Sequence, residues 1–309
     1  MPPPASLTVV ILTRDEERHL PRALASVAGF ADRILVVDSG STDRTVEIAE
    51  AAGATVLHNP WVNHASQMNW AFDYVPKGTD WVMRLDADEI VLPELGAEIR
   101  DGLPGLGLEI DGVYVSRRIN FLGGSVRYGG LFPVRVLRLV RNGRGRCENR
   151  WMDEHLIVEG AVADFWGELV DDNLKPLTWW IDKHNAYASR EVVDILNLEY
   201  GFMPHETIAT LNGGRQANVK RWLKEKLYAR LPTGLRAGAY FFYRFVIRLG
   251  FLDTREGRMF HVLQGFWYRY LVDSKLTEVR RYIVRNGVGP AEAIQDVLGI
   301  TLPPQKAQR

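Results

Sequence analysis

Short apolar runs that alternate with helical stretches, each run ending in a polar cluster, constrain this chain more than any other feature. The run Leu7 to Thr13 is uncharged and rich in β-branched residues, the pattern of a strand buried on both faces. Leu20, Leu24 and Val27 then recur at helical spacing, and Arg33 to Val37 gives a second buried run that ends at Asp38. Asp38-Ser39-Gly40-Ser41 reads as a loop, Thr42-Asp43 as a helix start, and the helix over 45–52 stops at Gly53. A strand over 54–57, a helix near 64–74 and a fourth strand over 80–85 follow, the last running into Asp86-Ala87-Asp88-Glu89. Strands and helices alternating this closely predict an α/β fold: a Rossmann-like, mostly parallel central sheet with flanking helices. Such sheets bind ligands at the carboxyl ends of their strands. Each polar cluster falls at such an end: Thr13 to Glu16, Asp38, and Asp86 to Asp88.

From about 112 to 165 the pattern changes to strand-like pieces, Val113 to Arg117, Val134 to Val140 and His155 to Val158, between glycine-rich turns. This stretch reads as a mixed or antiparallel completion of the sheet. Residues 173–200 read as helical, and 215–285 as several basic amphipathic helices interrupted by Pro232, Gly234 and Gly250. The expected organisation is a nucleotide-binding and catalytic domain over 1–170 and a helical C-terminal region over 171–309. With 309 residues, 46% of them apolar, the chain can fill such a core.

The formal net charge is zero, yet residues 215–285 hold sixteen Lys and Arg against five Asp and Glu, with fourteen aromatic residues among them. Basic and aromatic residues at this density suit an anionic membrane surface or a phosphate-bearing lipid. The competing reading is a solvated helical subdomain whose rings pack inward. Nucleic acid is a poorer match, because the aromatic excess exceeds what phosphate tracking needs. The apolar stretches within 1–13 and 259–268 fall short of the ~18–20 residues that a membrane-spanning helix requires. The single cysteine, Cys147, allows no internal disulfide, and the N-terminus has no secretory pattern. The expected location is cytoplasmic, peripheral on the inner face of the membrane.

Two carboxylates two positions apart after a buried strand can turn toward one cation where the chain bends. Asp86 and Asp88 meet that condition, and Mg2+ or Mn2+ takes a few carboxylate oxygens together with diphosphate oxygens. Aspartates also make turns for local reasons, so the spacing alone leaves both readings open. Asp38, at a strand end, is placed to accept hydrogen bonds from a base or ribose. Ser41 and Asp43 read as caps of the following helix.

Three blocks, Val9-Val-Ile-Leu-Thr-Arg-Asp-Glu-Glu17, Val36-Val-Asp-Ser-Gly-Ser-Thr-Asp-Arg-Thr45 and Leu85-Asp-Ala-Asp-Glu89, together resemble the family 2 glycosyltransferases, over about residues 7–160. The resemblance implies a GT-A fold, an inverting reaction, and a nucleotide-sugar donor, UDP-sugars favoured, bound with Mg2+ or Mn2+. It implies that Thr13, Arg14, Glu16 and Asp38 line the nucleoside pocket, that Gln67 and Asn69 lie near the ribose or diphosphate, and that Asp86 and Asp88 are the metal motif. Arg14 and Ser39 depart from the family pattern, where Asn and a second Asp are frequent.

Inversion needs a carboxylate to deprotonate the acceptor hydroxyl as it attacks the anomeric carbon. The region where the family places that base holds Trp151-Met-Asp-Glu-His155, so Glu154 is expected in the role, with Asp153 beside it. The family's common Glu-Asp order is reversed here. The run around Gly250-Phe-Leu-Asp253 resembles the tails of family members that build bacterial lipopolysaccharide core or exopolysaccharide units, which implies a lipid-linked or lipopolysaccharide glycan acceptor. Gln216 and Arg221-Trp222 lack the spacing of a processive synthase. A nucleotidyltransferase would need a basic, glycine-rich loop after the first strand, where this chain has the acidic Thr13-Arg-Asp-Glu-Glu17. The non-enzymatic alternative is a membrane-surface protein with a degenerate transferase domain.

Overall fold

The computed structural model describes residues 4–148, 155–202 and 234–302. The chain divides into two compact units, Met1–Leu174 with Leu252–Gly257, and Lys175–Phe251 with Arg258–Arg309.

In the first unit the elements run β1 (Leu7–Thr13), α1 (Leu20–Val27), β2 (Arg33–Asp38), α2 (Thr45–Ala51), β3 (Thr55–His58), α3 (His64–Asp73) and β4 (Trp81–Asp86). They continue with β5 (Glu89–Val91), α4 (Pro93–Gly102), β6 (Ile110–Phe121), β7 (Gly124–Val126), β8 (Val134–Arg141), β9 (Gly145–Cys147), β10 (Leu156–Val158) and β11 (Ala161–Asp172). The main sheet has the order β3-β2-β1-β4-β8-β6-β11-β5, with β7 paired to β6, while β9 and β10 form a separate ribbon. β1, β2, β3 and β4 pair in parallel, as the alternating pattern predicts. β8 is antiparallel to both β4 and β6, β6 is parallel to β11, and β5 is antiparallel to β11. The result is a mixed α/β sheet whose first half is parallel and whose second half is the mixed completion expected from 112 onward.

This sheet has to curl. Four spacings of about 4.8 Å, roughly 19 Å, separate β4 from β5 across a flat sheet of this order. Only Ala87 and Asp88 link Asp86 to Glu89, a path that reaches at most about 10 Å. The second half of the sheet therefore bends back beneath the end of β4.

Side chains alternate across the strands and bury both faces. Val9, Ile11 and Val36 pack with Leu20, Leu24 and Val27 of α1, Ala49 of α2 and Leu95 and Ile99 of α4. Val10, Val37 and Val82 pack with Ala65, Met68 and Phe72 of α3 on the other face. Each such aliphatic side chain contributes about 1.5–3 kcal/mol by leaving water.

Several elements exceed the sequence expectation. β5 and α4 were not anticipated, although Pro93 at the first helical position and Glu94 in the first turn carry a start signal. β6 extends well beyond 113–117 at both ends. β11 is a twelve-residue strand broken by an irregularity between Asp164 and Glu168, where a run of mixed polarity gave no clear period.

The second unit holds α5 (Leu177–Tyr200), ended by Gly201 in the left-handed conformation at φ 65. α6 (Leu235–Phe242) continues through a π-helical turn, Tyr243–Ile247. α7 (Arg255–Phe260), whose first three residues belong to the first unit, leads through a π-helical segment, His261–Trp267, into α8 (Tyr268–Asn286), and α9 (Pro290–Leu298) follows. Val192 and Leu196 pack with Val272, Leu276, Val279 and Ile294 to form its core. Among the described residues, no helix is long and apolar enough to cross a membrane.

Leu252–Gly257 departs from the expected division at residue 170, because it lies with the first unit. The Asp253 carboxylate accepts hydrogen bonds from the backbone N–H of Arg127 (2.8 Å) and of Tyr128 (3.2 Å), just past β7.

Candidate active site

Strand register brings the predicted polar residues to one edge. Thr13 lies opposite Asp38 on β1 and β2, and Leu12 lies opposite Asp86 on β1 and β4. The two faces differ, however. Thr13 and Asp38 follow Ile11 and Val36 on the face covered by α1 and α2, whereas Asp86 follows Val82 and Arg84 on the face covered by α3.

Asp38 is buried and saturated with donors. Its Oδ1 accepts from the hydroxyls of Thr13 (3.1 Å) and Ser41 (2.5 Å), and its Oδ2 from the backbone N–H of Gly40 and of Ser41 (both 2.9 Å). Burial pushes the carboxyl upward, but the hydrogen bonds from Ser41, Gly40 and Thr13 outweigh it and hold Asp38 below the ordinary carboxylate range. Four donors fill the four lone-pair sites of a carboxylate, so Asp38 anchors the Gly40-Ser41 turn. A ribose hydroxyl would have to displace one of these donors to reach it.

The loops after β1 and β2 are laced together. The N–H of Asp15 donates to Ser41 Oγ (2.9 Å), that of Glu16 to Thr45 Oγ1 (2.8 Å), and that of Glu17 to Asp43 Oδ2 (3.1 Å). In return Thr42 N–H donates to the Asp15 carboxylate (2.7 Å). Asp15 sits at φ 54, a left-handed conformation that Asp tolerates better than most residues and that clusters at binding sites. Sequence reading placed Asp15 in the polar cluster but gave it no role, although an aspartate two residues beyond the end of a buried strand was the available signal.

The metal-motif aspartates lie in a mixed-charge cluster. Asp86 accepts from Arg84 Nε (3.2 Å) and from Arg138 on β8 (3.1 Å), and His64 Nε2 is 4.0 Å away. Arg138 also bonds Glu89, and the backbone N–H of Asp86 donates to Glu89 Oε2 (3.1 Å). Burial opposes the charge on Asp86, but the guanidinium groups of Arg84 and Arg138 overcome it and hold the carboxyl well below the usual range. Glu89 behaves oppositely: its burial outweighs Arg138 and raises it. Burial and the positive charge of Arg84 push His64 down to about 4, so its imidazole is neutral near pH 7. Asp88 is held from the end of β11, where Asn173 Nδ2 donates to its Oδ2 (2.8 Å) and Asp172 N–H to its carbonyl (3.0 Å). Arg84 was within reach of sequence reading, since a residue two before Asp86 on a strand shares its face. Arg138 was not, because its approach depends on the curl.

The other predicted residues divide by what their side chains hold. Arg14 is exposed beside the laced loops. Glu16 turns to the buried His19. Leu174 N–H donates to His19 Nε2 (2.8 Å), which leaves Nδ1 to carry the ring proton toward that carboxylate. Gln67, expected near the ribose or diphosphate, braces Asn59 with its amide, donating to its carbonyl (2.9 Å) and accepting from its Nδ2 (2.8 Å). Asn69, expected in the same place, pairs with the backbone of Cys147 on β9 through both amide atoms (2.8 Å each). Asp153 and Glu154 lie outside the described residues, as do Gln216, Arg221 and Trp222. Their neighbour His155 is exposed and its Nδ1 lies 3.2 Å from Glu148 Oε1.

Among the described residues no group of three or more His, Cys, Asp or Glu could hold a metal ion. Asp86 and Asp88 are carboxylates, hard oxygen donors of the kind that suit Mg2+ or Mn2+ when substrate phosphates complete the coordination. The residues present therefore fit a cation that binds with a diphosphate and not one held by protein alone.

Residues 8–101 match the glycosyl transferase family 2 description, a span that contains β1 to β5, α1 to α3 and most of α4. An uncharacterized glycosyltransferase of Rickettsia bellii is 42% identical over 93 residues, covering 30% of this chain and 31% of the relative. The chain thus spans about a third of the length of the first curated relatives it matches. The lipopolysaccharide core biosynthesis glycosyltransferase LpsC of Rhizobium meliloti is 31% identical over 201 residues, covering 61% of this chain and 71% of that protein. Glucosyl-3-phosphoglycerate synthase from Mycobacterium tuberculosis, solved with Mn2+, uridine diphosphate and its glucosylated product, aligns at 18% identity over 65% of this chain and 82% of that one. Its TM-score of 0.41 is too low to carry any argument. With one relative matched across most of its length, and the family match lying on the strands and loops that present Asp38, Asp86 and Asp88, the chain belongs to glycosyl transferase family 2.

Proposed function

We propose that this protein is an inverting, metal-dependent, non-processive glycosyltransferase that moves a sugar from a nucleotide-diphosphate donor, UDP-sugars favoured, to a hydroxyl of a lipid-linked glycan in cell-envelope polysaccharide synthesis. The observation that carries the reading is that Asp86 and Asp88 follow β4 at the same carboxyl edge of the sheet as the laced loops after β1 and β2, in a chain of this family. The donor's nucleoside rests on the loops around Arg14 and Gly40, already fixed before it arrives. Arg84 and Arg138 keep Asp86 ionised and Asn173 holds Asp88, and a cation would take its Asp86 oxygen in competition with those two guanidinium groups. A bound Mg2+ or Mn2+ supplies charge neutralisation of the departing nucleoside diphosphate.

Glu154, with Asp153 as the alternative, takes the proton of the acceptor hydroxyl as it attacks the anomeric carbon opposite the leaving group. The likeness to a protein named for lipopolysaccharide core biosynthesis supports an acceptor of that class. The basic, aromatic-rich helical region over 171–309 supports acceptor capture at an anionic membrane surface.

A panel of UDP-, GDP- and dTDP-sugars with and without Mn2+, read by thermal shift and by donor hydrolysis, tests the reading. UDP-sugar with Mn2+ is expected to give the largest stabilisation, and Asp88→Ala to lose its metal-dependent part. Glu154→Ala should bind donor and fail to transfer; normal transfer by that variant moves the base to Asp153. Full turnover in a chelator would overturn the metal-dependent mechanism.

A further inference from the structure

Residues 234–251 and 258–272 of the second unit contain five arginines and no carboxylate. Three of the five are engaged inside the unit. Arg236 pairs with Asp273, Arg269 with Glu191, and Arg244 is 1% exposed. Arg248 and Arg258 remain exposed.

The same two stretches leave large apolar side chains in solvent, with Phe242 56% and Ile247 59% exposed and Leu249, Phe251, Val262 and Phe266 also open. Ring contacts join several of these positions. Phe241 stacks on Phe245 at 5.0 Å and meets Phe266 at 6.0 Å, and Phe245 meets Phe251 at 6.4 Å. A contiguous apolar patch of this kind marks an interaction surface.

We propose that this patch docks on an anionic lipid bilayer and lies in the headgroup layer, an assignment that rests on the membrane-surface part of the function proposed above. The apolar side chains enter the acyl boundary while Arg248 and Arg258 reach lipid phosphates, their aliphatic stems lying along the patch. With no carboxylate in either stretch, nothing on them repels an anionic leaflet. A second copy of the chain fits less well, because a two-fold contact through this patch would bring two like-charged pairs of arginines together without a counter-charge. Nucleic acid fits less well, because three of the six open apolar side chains, Ile247, Leu249 and Val262, offer no ring to stack on.

Flotation of the full chain with phosphatidylcholine vesicles, and with vesicles holding about a third phosphatidylglycerol, tests the assignment without donor or metal. The wild type should float with the anionic vesicles and stay behind with the neutral ones. Phe242→Glu with Ile247→Glu should weaken anionic-vesicle binding about tenfold or more. Arg248→Glu with Arg258→Glu should remove the preference for anionic lipid, and the corresponding Lys pair should keep it. All the substituted residues are exposed, so melting temperature and donor hydrolysis should stay at the wild-type values. Equal flotation of wild type and the Phe242/Ile247 variant would overturn the proposal. So would absence of wild-type binding, or a soluble dimer that this variant converts to monomer. Asp88→Ala should float like wild type, so failure of docking and failure of the transferase reading remain separate results.

Discussion

Asp171 is the carboxyl group whose ionisation this fold resists most plainly. It sits on β11 opposite Glu89, and burial together with the negative charge of Asp88 raises it to about 7 against the partial relief of Arg117. Its folded value lies above its unfolded one, so its contribution to stability is complete below about pH 4 and is lost as pH rises through about 7. Asp171→Asn removes the charge that has to be buried. The variant should therefore melt above the wild type at pH 8, by about 2–4 °C for each kcal/mol recovered, and the gap should close near pH 4. Parallel melting curves for the two proteins across that range would show that Asp171 titrates normally.

At this scale the sequence was informative about place and less so about role. Asp38, Asp86 and Asp88 were legible because each ends an uninterrupted apolar run. The duties of Gln67 and Asn69 on α3 and of Glu16 in the loop after β1 were not, because an amide or carboxylate serves a ligand or a neighbouring group equally well. What the structure adds is the partner each side chain has within the protein: Asn59, Cys147 and His19.

Among the elements, β11 is the one on which the curl depends, since it joins β6 to the short edge strand β5 that follows the metal motif. It is fastened to α4 at its irregularity. The N–H groups of Trp166 and Gly167 both donate to Glu98 (2.9 and 2.7 Å), and a Cβ on Gly167 would lie 2.4 Å from the Leu95 backbone. Gly167→Ala must push β11 away from α4, and the expected cost is about 1–3 kcal/mol of stability. Equilibrium urea unfolding measures it, and a midpoint equal to wild type would mean that the strand shifts without penalty. The strands β1 to β4 were readable from their period and their polar ends. β11 was not, because a strand whose two faces meet different surroundings along its length shows no constant alternation. The detour through β8, β6 and β11 between Asp86 and Glu89 is likewise invisible in a sequence where they are near neighbours.

For the molecule as a whole, the chain is not divided once but interleaved, since Leu252–Gly257 returns to the first unit. Asp253→Ala would leave the N–H groups of Arg127 and Tyr128 without the carboxylate that receives them, at a cost of about 1–3 kcal/mol. Hydrogen exchange at 124–128 should accelerate in this variant while the amides around Val192 and Leu276 keep wild-type protection. Unchanged exchange at 124–128 would make the contact dispensable. The general division into a sheet half and a helical half was legible from the change in pattern near 170. The return was not, because a six-residue stretch carries no period of its own.

That return also sets a timetable during synthesis. When Leu174 has been made, the β6–β7 hairpin still lacks the carboxylate that will fasten it, and Asp253 follows almost eighty residues later. At about 5–20 residues per second, the nascent sheet waits roughly 4–16 s for its last fastening. During that interval the newborn hairpin is the stretch most open to chaperones and proteases.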